Sequence, residues 1–471
     1  MNLCFSVSPC WQKYKTTLMA NIKTVLIALF ILLNYETGNA QDHNLSREQI
    51  KEDISYLINS LENVHINPFN KYNKTDFLKG MQKAEKELSK STNPNSIEFY
   101  KKVQPEIVKL NDGHTYIHMS EYEKYDTYIF PFDLAISKNS IKITNQKSNY
   151  FNKDKNLFIN KRIKKINDKS AKEIIDMSDK YISGENEITR ITAGKYYFEF
   201  FFNLFIDNKK GYTTIEFNDG SKEKILLLKK SEWKNTVSQT NENDYYNYDV
   251  FKDYAILNFK SFQDLDKFKN FLSNMFKDLG NKKINTLIID IRDNEGGNSD
   301  LGDELLKYLV SVPFTQYEKT LMKYSEISKN TFKKYPNIDK DYLSSYLNKK
   351  NGTIDTIDKS KNLTEPFNTE KRYSGKVFLL INSLTYSSAA DFAQAFKYYK
   401  IGRIIGDETG GQIISPGEPV NTKLPNSKLD FTISSSRDYD IGAKENDWHG
   451  VIPDVKINAS EALKYIIEKN N

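Results

Sequence analysis

The hydrophobic positions of this chain change their spacing along its length. After Ser46-Arg-Glu-Gln49, which reads as a capping box, Ile50, Ile54, Leu57, Ile58 and Leu61 recur at helical spacing. A second helical pattern runs from Ile97 to Leu110, with Val103, Ile107 and Leu110 on one side. From about Tyr128 to Lys230 the pattern shortens to strand-like runs at 133–136, 141–143, 161–166 and 212–217. Asn218-Asp-Gly220 then predicts a hairpin to a strand at 224–228. Beyond residue 250 buried strands alternate with helices: strands at 254–259, 286–291, 377–381 and 403–405, helices at 264–279 and 301–309 and after Ser388. That order predicts an α/β core, a parallel-rich sheet with helical crossovers, with ligands beyond the carboxyl ends of its strands. Residues 312–372 break the alternation as a Lys-, Asn-, Ser- and Tyr-rich insertion, expected to be a lid or a flexible loop.

Length adds that 471 residues exceed one ordinary core. The expected organisation is a leader at 1–40, a helical N-terminal region at 41–125, a small β domain at 126–235 and an α/β domain at 245–465. The leader is read from Lys13, Lys15 and Lys23, the apolar run 25–33, and small residues at Gly38 and Ala40. Its start is either Met1 or Met19. The run is shorter than the roughly 20 residues of a membrane span, so export to a periplasm or secretion is expected, with no stable membrane span once the leader is removed. Cys4 and Cys10 are the only cysteines and both lie in that leader. The remainder therefore has no disulfide framework, no cysteine nucleophile and no thiolate metal site. The formal charge of +6 is spread among interspersed acids and bases, which excludes a nucleic-acid footprint. Oligomeric state is not written in the pattern.

Candidate chemistry centres on Asn382-Ser-Leu-Thr-Tyr-Ser-Ser-Ala-Ala-Asp391, between a buried strand and a helix. A serine at such a turn sits among outward-pointing backbone N–H groups, a favourable place for a nucleophile. The competing reading is that Ser387 and Ser388 cap the helix. Gly296-Gly297 forms a second turn at a strand end. His114 and His118 lie on one face of a strand pattern rather than at zincin spacing, so no metal is expected. Asp290 and Arg292 read as scaffold, Arg292 pairing a carboxylate near the glycine turn, and His449 as a residue orienting the C-terminal turn. His43 and His65 carry no motif.

Leu287-Ile-Ile-Asp-Ile-Arg-Asp-Asn-Glu-Gly-Gly297, Ser388-Ala-Ala-Asp391, Gly406-Asp-Glu-Thr-Gly-Gly411 and Gly450-Val-Ile-Pro-Asp454 together resemble, in order, the signatures of the S41 serine peptidases. That family comprises the C-terminal processing peptidases and the tricorn core protease. Leu110-Asn-Asp-Gly-His-Thr115 is similar to the segment ahead of the core in tricorn-like members. The resemblance implies a ClpP/crotonase-like core and a peptidase acting on peptides or unfolded proteins without metal or organic cofactor. It implies Ser388 as nucleophile and an oxyanion hole from the amides of Ala389 and of Gly296 or Gly297. Where processing peptidases carry a basic lysine this chain has Gln412, so His114 is the expected base, with Glu445 as orienting carboxylate. Gly113 stands where tricorn-like members have a serine. Ile163-Lys-Lys-Ile-Asn-Asp-Lys-Ser-Ala-Lys-Glu-Ile174 resembles the strand, turn and short helix of a PDZ domain, with Asp168 in place of the usual glycine. An inactive S41-like binding or scaffold protein is the alternative these departures keep open.

Overall fold

The computed structural model describes residues 44–119, 125–147, 150, 157–206, 210–234, 245–335 and 338–470. The leader reading, with Cys4, Cys10 and His43, lies outside them. Among the described residues no helix is long and apolar enough to cross a membrane.

The α/β core is a six-stranded sheet with the order Tyr246–Val250, Ala255–Phe259, Thr286–Asp290, Lys376–Ile381, Arg403–Gly406, Val455–Lys456. The first pair is antiparallel and every other pair parallel. Its central strands are apolar throughout because both faces are covered. Val377, Leu379 and Ile381 face one core with Leu287, Ile289 and Ile291, whereas Phe378 and Leu380 face another with Ile288 and Ile405. The first core is closed by the helices Leu265–Asn281, Asp300–Leu309 and Ser388–Tyr398, and the second by Ala459–Asn470, through Ala462 and Ile466.

A second, five-stranded sheet joins distant parts of the chain. Asp430–Asp440 pairs with Tyr116–His118, Ile414–Lys423 and Tyr317–Lys323, and the last of these pairs with Ile354–Asp358. The insertion expected as a lid or flexible loop is therefore largely built structure. Strands Tyr317–Lys323 and Ile354–Asp358 and helices Glu326–Phe332 and Lys340–Asn348 occupy it. Four of its buried residues, Met322, Tyr324, Phe332 and Tyr346, are spaced too widely to form the apolar runs that flag a core segment, yet they join the core of the N-terminal helices, while Phe314 joins the α/β core.

Those helices are Arg47–Val64, Lys74–Leu88 and Ser96–Val108. Ser46 and Gln49 do form a reciprocal cap at the first. The β region is a sheet ordered Phe132–Ser137, Ser140–Gln146, Arg162–Ile166, Tyr212–Phe217, Lys222–Leu226, packed on helices Ala171–Tyr181 and Glu187–Phe205. The short helix expected after Asp168 is Ala171–Tyr181, but Glu187–Phe205 lies where no helix is expected. Its aromatic run suits a strand on propensity, but Phe198 and Phe202 enter the β-region core while Phe201 enters the N-terminal core, so apolar residues surround it.

Candidate active site

The strand Lys376–Ile381 ends in a turn whose conformation is set by Ser387, held at φ +49°. A non-glycine residue in that region stores strain of roughly 1–3 kcal/mol, which the surrounding packing must sustain. Ser387 occupies the N-cap position but makes no side-chain cap hydrogen bond, so helix capping does not account for the serine pair. Ser388 opens the helix, buried, and its hydroxyl donates to the Gly297 carbonyl at 2.8 Å.

Gly296 and Gly297 adopt φ +93° and +140°. A Cβ on Gly296 would stand 2.8 Å from the Ser388 nitrogen, and one on Gly297 2.3 Å from the Phe262 carbonyl oxygen, so this turn can approach the serine only as glycine. Two of the three expected oxyanion donors are already engaged. The Gly296 amide donates to Asn294 Oδ1 and the Ala389 amide to the Tyr386 carbonyl. Among the described residues the amides of Gly297 and Ser388 have no such acceptor.

His114 reaches this place because the strand after it, Tyr116–His118, pairs antiparallel with Asp430–Asp440, with Tyr116 opposite Thr432. Asp112 fixes the turn before that strand. Its carboxylate accepts from the His114 amide (2.8 Å), Thr115 Oγ1 (2.6 Å), Ser434 Oγ (2.8 Å) and His65 Nε2 (3.0 Å). His65 Nδ1 in turn accepts from the Asn67 amide, which assigns the Nε2–H tautomer. Burial pushes the Asp112 carboxyl up. The hydrogen bond from His65, the charge of His114 and the Thr115 hydroxyl outweigh that and hold it well below the usual carboxylate range. His65, without a motif in the sequence, is thus a buried structural partner.

The His114 ring lies 5.2 Å from the ring of Tyr386, two residues before Ser388. Tyr386 donates its hydroxyl to Glu185 Oε1, which also accepts from the Gly113 amide (3.3 Å). A ring nitrogen of His114 and one carboxylate oxygen each of Asp112 and Glu185 lie within 4.8 Å of one another. His114 Nδ1 and Glu185 Oε2 are both buried without a hydrogen-bond partner among the described residues. Burial pushes the Glu185 carboxyl up, against the opposing pull of the His114 charge and the Tyr386 hydroxyl. Glu445, expected as the orienting carboxylate, is exposed in the segment ahead of Trp448. Glu185 escaped sequence reasoning because nothing in Ser183-Gly-Glu-Asn186 marks it out; only packing against Gly113 and Tyr386 does. Gly113 has no room for a side chain, since a Cβ there would meet the Tyr386 hydroxyl at 2.1 Å.

Gln412 is held from both ends. Lys71 Nζ donates to its Oε1 at 2.6 Å and its Nε2 donates to the Trp448 carbonyl at 3.0 Å. Lys71, from the N-terminal region, also stands 5.1 Å over the Trp448 ring, and burial pushes its ammonium down. Gly411 packs against Ser387 and Tyr386, so this lysine enters beside the serine turn from 341 positions away. Asp290 and Arg292 form a side-chain fork with each other, and His449 Nδ1 lies 2.7 Å from the Gly450 carbonyl, both structural as expected.

Beneath the serine helix, Asp391 and Asp440 are buried together. Tyr317 donates to Asp391 Oδ2 at 2.7 Å, while Asp391 Oδ1 and both Asp440 oxygens have no hydrogen-bond partner among the described residues. Burial, reinforced by the charge of Asp438, pushes Asp391 up to about 7, and burial with the charges of Asp391 and Asp438 pushes Asp440 higher. An acid raised by folding contributes stability that is complete below its unfolded value, about 4, and is lost as pH climbs through the folded value. The melting temperature should therefore fall as pH rises from about 4 to about 7. Asp440→Asn, whose amide can donate to Asp391, should flatten that fall; an unchanged slope in a pH series of melting curves would contradict it.

The comparisons with known proteins agree with this architecture. Residues 253–457 match the model of peptidase family S41. No curated protein matches the chain by sequence. The crystal structure of mature CPAF superposes with TM-score 0.63 at 13% identity, over 90% of this chain and 96% of that one. Mature CPAF complexed with lactacystin gives 0.62 at 14%, over 90% and 97%. At such identities the likeness is one of fold, and it extends well beyond the matched region to the N-terminal helices and the β region. Residues 253–457 of this chain belong to peptidase family S41.

Proposed function

We propose that this chain is an exported serine peptidase that cleaves peptides or unfolded proteins, with Ser388 as nucleophile and His114 as base. The observation that carries the reading is the convergence of His114, Glu185 and Tyr386 beside a strained serine turn, from segments far apart in sequence. A serine hydroxyl needs a base to take its proton. The imidazole accepts that proton and returns it to the leaving amine. Glu185 takes the orienting role expected of Glu445: one of its carboxylate oxygens lies within 4.8 Å of a His114 ring nitrogen, and a carboxylate there stabilises the imidazolium that forms. The amides of Gly297 and Ser388 serve the oxyanion, since those of Gly296 and Ala389 are committed elsewhere. We further propose that the β region is PDZ-like and binds substrate by adding a strand to a sheet edge.

One observation favours the inactive alternative: the Ser388 hydroxyl points at the Gly297 carbonyl, not at the imidazole. Labelling with a fluorophosphonate probe separates the two. The peptidase reading expects labelling of the folded protein that disappears in Ser388→Ala; folded wild-type protein that takes no label supports a binding protein instead.

A further inference from the structure

A cavity of about 390 Å³ opens on the Gly113 side of the site, lined by six aromatic residues: Tyr100, Tyr116, Tyr181, Tyr196, Tyr197 and Phe200. Its walls are braced. Tyr100 stacks on Tyr181 at 6.0 Å and meets Phe200 edge-on at 5.7 Å. The helix Glu187–Phe205 presents Tyr196 and Tyr197 to it, and these remain 48% and 46% exposed, unusual for neighbouring large rings on a folded surface.

The polar residues of the lining are largely spent within the protein. Gln104 donates to the Tyr181 carbonyl and accepts from the Ile117 amide, and Ser183 donates to the Thr115 carbonyl. Asn203 bonds both the amide and the carbonyl of Tyr128, and Glu199 accepts from the Phe130 amide and Lys147. What the cavity offers a visitor is therefore mostly aromatic surface. Its volume lies near the lower end of small-ligand sites and exceeds one side chain.

The cavity adjoins the site through Gly113, which lines it and whose Cβ position would stand 2.1 Å from the Tyr386 hydroxyl and 3.3 Å from Glu185 Oε2.

From this geometry we infer that the cavity is a specificity subsite, taking a large apolar or aromatic side chain of the substrate chain close to the cleaved bond. The inference deepens the peptidase reading and rests on it for the word substrate. An aromatic residue seated there buries its ring between preformed rings at little ordering cost.

The test maps cleavage of a denatured protein by mass spectrometry. Wild-type enzyme is expected to show Phe, Tyr, Trp or Leu enriched at one fixed position near the cut. Tyr197→Ala should reduce that enrichment roughly tenfold, the scale of a pocket-filling contact, while Tyr197→Phe retains it. No apolar enrichment, or enrichment unchanged in Tyr197→Ala, overturns the inference. If nothing is cleaved, anisotropy of a fluorescent Phe-bearing unfolded peptide on Ser388→Ala protein decides separately. Binding that Tyr197→Ala weakens keeps the cavity assignment although the peptidase reading has failed; binding indifferent to Tyr197, or none, removes it.

Discussion

His114→Ala is expected to lower peptide hydrolysis by about 10⁴- to 10⁶-fold, the scale on which a serine nucleophile and its base fail as a unit, with the melting temperature nearly unchanged. The two halves of that expectation have separate causes. Activity depends on the imidazole because, among the described residues, the Ser388 hydroxyl has only the Gly297 carbonyl as a hydrogen-bond partner, which cannot take its proton. Stability does not, because the strand after His114 is anchored by its backbone and by Asp112, whose four hydrogen bonds include only the main-chain amide of His114. Assays of kcat/KM beside thermal melts check both. Hydrolysis within tenfold of wild type would remove the histidine from the mechanism, and the nearest rival base would then be Lys71, held at Gln412 with its ammonium pushed down by burial. Lys71→Met in the same assay distinguishes the two.

What the sequence made legible follows from which interactions are local. The parallel core strands announce themselves as apolar runs because both their faces are buried, and Gly296, Gly297 and Ser388 stand at the ends of such runs. The second sheet is less visible. Its strand Asp430–Asp440 buries serines and acids, Ser434, Ser435, Ser436 and Asp440, where a hydrophobic pattern would be sought. The aromatic helix Glu187–Phe205 lacks a polar face because it serves two cores. Site residues divide the same way. Ser388 and His114 sit in ordered motifs, while Glu185 and Lys71 acquire meaning only through contacts with residues 201 and 341 positions away. Equally, spacing could suggest Gly296 and Ala389 as oxyanion donors but could not show that Asn294 and Tyr386 already occupy their amides.

Glu185→Gln is expected to cost about 10³- to 10⁴-fold in kcat, the size of the loss when the carboxylate behind a catalytic histidine is neutralised, and to leave the protein as stable as wild type or more so. The sign of the stability change follows from burial. The Glu185 carboxyl is pushed up because its charged form is desolvated, and the His114 charge and Tyr386 hydroxyl do not fully offset that. A glutamine keeps an oxygen for the Tyr386 hydroxyl and the Gly113 amide but carries no charge to desolvate, so folding loses little. Catalysis loses more. The imidazolium formed when Ser388 is deprotonated then keeps, of the two carboxylates beside the ring, only that of Asp112, whose oxygens already accept four hydrogen bonds, and the glutamine amide can turn an N–H toward the ring and favour the wrong tautomer. A residue that merely held the fold together would show the reverse, with melting temperature falling and the surviving folded enzyme working normally. Glu445→Gln is the matched control: exposed where Glu185 is buried, it should change kcat by less than about twofold, as exposed substitutions generally leave the molecule little altered. Should Glu445→Gln prove the damaging change and Glu185→Gln the silent one, the carboxylate behind the histidine would have to swing in from the surface when substrate binds, and the buried cluster of Asp112, Glu185 and Tyr386 would be support for the fold alone.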